Sequence, residues 1–163
     1  MNGYPTTRAP GQWVLLSYRL PREPSTPRIA VWRKLKRLGV AQLGDGLVAL
    51  PADARTREHL EWVADEVTEA DGTASVLLAQ PASMRQERDL AQQMATARAA
   101  EYAAIVAQAT AADDARGSVA LLRRLRAEFA RVARRDFFPP AERVTARAAL
   151  DDLATATRAE VAT

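Results

Sequence analysis

The sequence predicts an α+β fold in which a mixed strand-and-helix segment is followed by an all-helical one. Three observations predict it. Between residues 13 and 80, apolar runs of strand length alternate with amphipathic helical patterns, each closed by proline or glycine. After Pro81 no strand-like run occurs, and 26 of the 35 alanines lie from Ala79 onward. The 163 residues are 48% hydrophobic and 26% charged, ordinary values for a folded globular chain and far from those of disorder.

Residues 1–12 are polar and hold Pro5, Pro10 and Gly11, and so read as a loose tail. Trp13 to Leu20 is an apolar run ended by Pro21, a buried-strand signal. Thr26-Pro27 has the form of an N-cap followed by proline at the first helical position, which predicts a helix to Leu38 stopped by Gly39. Its expected core stripe is Ile29, Trp32, Leu35 and Leu38. Arg33, Lys34 and Arg37 form its expected exposed basic face.

Val40 to Leu43 and Leu47 to Leu50 flank Gly44-Asp45-Gly46, a hairpin pattern that Pro51 ends. A second amphipathic helix is expected over Thr56 to Ala70, with Leu60, Val63, Ala64 and Val67 inward and Asp71-Gly72 as its stop. Thr73 to Gln80 is the last strand. The order strand, helix, strand, strand, helix, strand is the ferredoxin-like arrangement, and right-handed crossovers place both helices on one face of an antiparallel sheet. Residues 13–81 are therefore expected to form a ferredoxin-like domain, with 82–163 as a helical region packed on it.

Three helices are expected there, over Ser83 to Ala112, Ser118 to Phe137 and, beyond Pro139-Pro140, Ala141 to Ala162. In the first, Leu90, Met94, Ala97 and Ile105 share a side that also holds Glu101. Arg98, one turn earlier, is the expected partner of Glu101 in a structural ion pair. In the second, Leu121, Leu122, Leu125, Phe129 and Val132 face inward, while Arg123, Arg124, Arg126, Arg131, Arg134 and Arg135 take the remaining circumference.

The net charge of +3 conceals segregation. Residues 1–50 hold eight basic and two acidic side chains, residues 51–115 five and twelve, and residues 116–135 seven and one. Of the 23 basic residues 21 are arginine, a ratio that reflects GC-rich coding first, although the guanidinium fork also suits phosphate and carboxylate. Two basic blocks on helix faces point to a polyanion contact, against the plain alternative of solvated faces.

Several chemistries are excluded. Cysteine is absent, which removes disulfides, thiolate metal sites and thiol nucleophiles and fits a cytoplasmic location. His59 is the one histidine, so neither a transition-metal site nor a serine triad is expected. The glycines are too few for a dinucleotide or phosphate loop. Asp113-Asp114 and Asp151-Asp152 are expected at helix ends or in linkers, as caps and solubility residues. No apolar run reaches the roughly 20 residues of a membrane span, and no secretion signal opens the chain. No catalytic residue, metal or cofactor is expected.

Trp13-Val14-Leu15-Leu16, Leu20-Pro21, Arg28, Val31-Trp32-Arg33-Lys34-Leu35, Leu38-Gly39, Leu43, Asp45-Gly46, Leu50-Pro51, Trp62 and the 74–79 strand, with Arg98, Tyr102 and Arg135-Asp136-Phe137, resemble the N-terminal domain family of the chromate-resistance regulator ChrB. The middle domain of PaaX-type repressors is similar more distantly. The resemblance implies a cytoplasmic transcriptional regulator that binds promoter DNA with chromate as its signal, and longer relatives carry a further C-terminal domain. On that reading duplex DNA meets Arg33, Lys34, Arg37, Arg123, Arg124, Arg131, Arg134 and Arg135, and the chain forms a homodimer. Arg28, at the start of the first helix, is the candidate for chromate or another oxyanion. A protein-interaction or dimerisation module without DNA binding is the alternative, supported by Trp62, which falls off its helix's apolar face. The third reading is a metal-dependent nuclease of the ferredoxin-fold CRISPR-associated kind. Those enzymes place an aspartate at the end of the first strand, where this chain reads Tyr18-Arg19-Leu20-Pro21.

Overall fold

The structure, a computed structural model, describes residues 11–112 and 115–162. The element order is β1 (Trp13–Arg19), α1 (Thr26–Leu38), β2 (Ala41–Gly44), β3 (Leu47–Pro51), α2 (Ala54–Glu69), β4 (Thr73–Ala79), α3 (Met84–Thr110), α4 (Ala115–Arg134) and α5 (Glu142–Val161). The chain forms two units, Met1–Ala91 and Gln92–Thr163. Their boundary falls inside α3.

In the first unit the four strands form one sheet of order β2-β3-β1-β4, with β1 antiparallel to both β3 and β4. This is the α+β, ferredoxin-like arrangement that the element order predicted. Val14 pairs with Leu50 and Leu16 with Val48, so these buried side chains lie on one face of the sheet. Val31 and Leu35 of α1 and Leu60, Val63 and Val67 of α2 are the buried helical residues. α2 packs on β1 and β4, and α1 packs against α2. Gly11 and Gln12, at the end of the expected tail, are tied down. The Gly11 amide donates to the Glu87 carboxylate at 2.8 Å, and the Gln12 carbonyl accepts from the Ala52 amide at 2.9 Å. Residues 1–10 of that tail lie outside the described residues.

α1 corrects the expected core stripe. Its N-cap is Ser25 rather than Thr26, Val31 is buried, and Ile29 and Trp32 are 47% and 50% exposed. The helix carries two apolar arcs, one through Val31, Leu35 and Leu38 and one through Ile29 and Trp32, and periodicity alone does not choose between them. Gly39 ends the helix as expected, at φ 76°.

α2 begins earlier than Thr56 because Asp53 caps it. The Asp53 carboxylate accepts from the Thr56 amide at 2.7 Å, and the Thr56 hydroxyl accepts from the Asp53 amide at 2.9 Å. These bonds to the anion hold the Asp53 carboxyl below its usual range. Asp53→Ala is therefore expected to lower stability by about 1 kcal/mol in urea unfolding at neutral pH. A depressed folded-state pKa contributes stability above the unfolded value, so the difference from wild type should shrink as pH falls through the carboxylate range.

The second unit is a helical bundle. Its core joins Tyr102, Ile105 and Ala109 of α3, Leu122, Leu125 and Val132 of α4, and Ala146, Leu150, Leu153 and Ala154 of α5. The inward face expected of α4 is the one observed. On α3, however, Ala97 is exposed and Arg98 is buried. Asp151 and Asp152 sit exposed within α5 rather than at a helix end, and Asp113-Asp114 lies outside the described residues.

Candidate functional site

The end of β1, the start of α1 and the β2-β3 turn enclose a cleft of about 1260 Å³ in the first unit. Arg19, Arg22, Arg28 and Arg33 line it, with Asp45 as the one carboxylate and Tyr18, Ile29 and Trp32 as its apolar wall. Gly46 brings the turn in. A side chain there would strike the Tyr18 carbonyl, and φ is 69°, so glycine lets the Tyr18 amide donate to the Gly46 carbonyl at 2.8 Å. Burial pushes the Tyr18 phenol up, and the Arg28 charge opposes that shift.

The cleft is electropositive for three reasons that add. Four guanidinium groups face one carboxylate, Ser25 at the N-terminus of α1 makes no side-chain cap bond, and the first turn of α1 contains no acid. The positive end of the helix is therefore left unneutralised. The Lys36 ammonium lies 4.4 Å from the centroid of the Trp32 ring, adding a cation beside the exposed indole. Such a surface can hold a small oxyanion or a phosphate by forked, charge-assisted hydrogen bonds.

The basic face expected of α1 divides. Arg33 lines the cleft. Lys34 forms an ion pair with Glu66 of α2, and Arg37 lines a smaller groove of about 350 Å³ with Leu38, His59, Trp62 and Val63. Trp62 is 57% exposed, its ring centroid 5.8 Å from that of His59.

On α4, Arg123, Arg124, Arg126, Arg131 and Arg134 are exposed. Among the described residues none of them forms an ion pair, and Arg124 donates to the Gln108 side chain at 2.8 Å. Arg135 departs from the expected face. α4 ends at Arg134, and past that end the Arg135 guanidinium turns to the Glu101 carboxylate. Glu101 also receives Arg98 at 2.9 Å, so the expected pair is part of a larger network. Arg98 further donates to the Arg135 carbonyl at 3.4 Å. Next to it, Tyr102 donates to Asp136 at 2.8 Å and Arg143 lies 3.4 Å from the same oxygen. Burial lowers the Arg98 pKa against the pull of Glu101, and burial together with Asp136 raises that of Tyr102.

The sequence reading left Arg19 and Arg22 unassigned and gave Trp32 to the core. Their signal was available: arginines on both sides of the start of a helix whose first turn lacks acids, the reverse of the usual charge preference. Among the described residues no three or more His, Cys, Asp and Glu side chains gather as metal ligands, and no helix is long and apolar enough to cross a membrane.

The family described as "Protein ChrB, N-terminal" matches residues 28–115. Protein ChrB of Cupriavidus metallidurans is 35% identical over 89 residues, which cover 55% of this chain and 27% of that protein. The matched segment thus spans about a quarter of the curated relative's length. The solved structure of the uncharacterized protein Rv0674 from Mycobacterium tuberculosis aligns at TM-score 0.57 with 21% identity, over 94% of this chain and 64% of that one. That likeness concerns the fold alone.

Proposed function

The chain belongs to the family of the N-terminal part of ChrB, and from that premise we propose that it is a regulatory module of a chromate or related oxyanion resistance system that contacts duplex DNA. The observation that carries this reading is the α4 face, where five exposed arginines have no carboxylate partner among the described residues. A merely solubilising face would serve equally well with balanced signs, whereas five exposed arginines against the single acid of this helix, Glu128, which forms no ion pair with them, leave a net positive surface that attracts phosphates. Arg123, Arg124, Arg131 and Arg134 are the phosphate contacts in this proposal, with Arg33 and Arg37 on α1 as further ones. Lys34 and Arg135 are engaged by Glu66 and Glu101 and serve as internal partners. Phosphate contacts position a protein on DNA without reading its sequence.

The cleft is the proposed seat of the signal. A tetrahedral oxyanion would be held by Arg28 at the uncapped start of α1, with Arg19 and Arg22 at hand. Binding to the upstream DNA of its own operon, measured by fluorescence anisotropy with and without chromate, tests both parts. Chromate is expected to change the DNA affinity, and Arg28→Ala is expected to abolish that response while leaving chromate-free binding within about twofold, since one phosphate-independent side chain is removed. Absence of binding at low salt would sink the DNA reading, and an unchanged chromate response in the Arg28 variant would sink the assignment of the cleft.

Exposed Trp62 favours the second reading, a protein-interaction module. Loss of DNA affinity in Trp62→Ala would argue against it, because a pure interaction residue has no part in phosphate contacts.

A further inference from the structure

The sheet has two edges, β2 and β4, and they are built differently. β2 has four residues and breaks register between Gln42 and Gly44. Short, bulged edges of this kind resist further pairing. β4 runs for seven residues in unbroken register along β1, from Thr73 opposite Arg19 to Ala79 opposite Trp13. Its sequence, Thr-Ala-Ser-Val-Leu-Leu-Ala, holds no charge, no proline and no glycine. Among the described residues the strand itself carries no charge, proline or bulge to keep its edge from pairing.

The side chains on this edge are also unusual. Leu77 and Leu78 are successive residues and so project to opposite faces of the sheet, yet they are 48% and 52% exposed. A helix or loop laid on one face would cover only one of them. A further strand added alongside β4 would cover both.

We propose that β4 is a self-association edge, at which two copies of the chain pair antiparallel about a two-fold axis and join their four-stranded sheets into one. The occupant is argued from complementarity. Antiparallel pairing of β4 with itself sets each residue before the axis against one after it, and because the strand is neutral throughout, no like charges are opposed in any register. A charged partner strand would meet nothing to pair with. β2, the other edge, is too short and irregular to supply a seven-residue partner. A strand-to-strand contact lies at the small end of specific interfaces, so the dimer is expected to dissociate on the order of micromolar concentration. This inference is independent of the DNA reading.

The chain contains no cysteine, which makes the test clean. Single cysteines placed in turn at positions 73 to 79 and oxidised gently should cross-link most strongly at the residue nearest the axis, with yields falling toward both ends of the strand. Sedimentation equilibrium of the cysteine-free chain should show a monomer–dimer equilibrium. Leu77→Lys combined with Leu78→Lys should weaken it by about tenfold or more, because lysine blunts a strand edge. Both leucines are half exposed, so the double variant should keep its circular dichroism spectrum. A chain that stays monomeric at high concentration overturns the proposal. So does a dimer whose cross-linking is flat or absent along β4, which would assign the interface to another surface.

Discussion

Reversing two charges on α4, Arg124→Glu with Arg131→Glu, is expected to reduce duplex DNA affinity by at least about a hundredfold at low salt, the largest single effect foreseen. Each phosphate neutralised by arginine contributes about −0.9 to the slope of log affinity against log salt. The four contacts from Arg123, Arg124, Arg131 and Arg134 alone should cost the wild type on the order of a hundredfold in affinity as salt rises from about 50 to 200 mM, and Arg33 and Arg37 add to that loss. The double variant removes two contacts and turns each into a repulsion, so its slope should fall by about two as well as its affinity. The structural consequences are small. Arg131 is exposed and unpaired among the described residues, and Arg124 forfeits one exposed bond to Gln108. Glu128 stands one turn from both new carboxylates, so thermal unfolding should show a loss of no more than about 1 kcal/mol from like-charge repulsion. A variant that binds as tightly as the wild type, with the same salt slope, would show that α4 is only a solvated face.

The second large effect concerns stability. Arg98→Ala is expected to destabilise the chain by about 3 kcal/mol, because it empties a buried position and strips Glu101 of one of its two arginine partners. For a chain of this size that corresponds to a fall in Tm of roughly 6–12 °C. Glu101 would lose its 2.9 Å partner and the Arg135 carbonyl a donor. Arg98→Lys should restore little, since an ammonium cannot reach two acceptors with a planar fork. The neighbouring Tyr102–Asp136 bond adds a pH signature. The folded-state pKa of Tyr102 is raised above its ordinary value of 10.0, so the stability it contributes is fully present below about pH 10 and is lost as pH rises through the folded value. Tyr102→Phe should accordingly be less stable at neutral pH and show less of that alkaline loss. A loss under about 1 kcal/mol in Arg98→Ala would mean that the network contributes little.

The elements of both units were legible because their signals are local. A proline, a glycine or an apolar repeat specifies a strand or helix from the residues of that segment itself, and the βαββαβ order then follows. The α4 face was legible for the same reason: its leucines and arginines separate so widely that one orientation buries the first and exposes the second. α1 was ambiguous, and only its packing against α2 in the folded unit chose Val31 over Ile29 and Trp32 for the core. That choice put Trp32 on the wall of the cleft. α3 misled in a similar way. Its buried positions run Met94, Arg98, Tyr102, Ile105 and Ala109, a regular helical stripe with an arginine in it. A reading that admits only apolar residues to the core steps sideways to Ala97.

The sequence by itself therefore determined the order and type of the elements, the segregation of charge and the family. Tertiary structure alone decided which arginines remain open to an anion and which are consumed inside the molecule. Arg135 and Arg134 are neighbours in sequence, yet one is held by Glu101, 34 positions away, and the other stays exposed. Arg19, Arg22, Arg28 and Arg33 come from a strand end, a loop and a helix and share a cleft only after the crossover is made. The reason is physical. Helix and strand periodicity depend on neighbours along the chain, whereas the partner of a charge depends on distance in space.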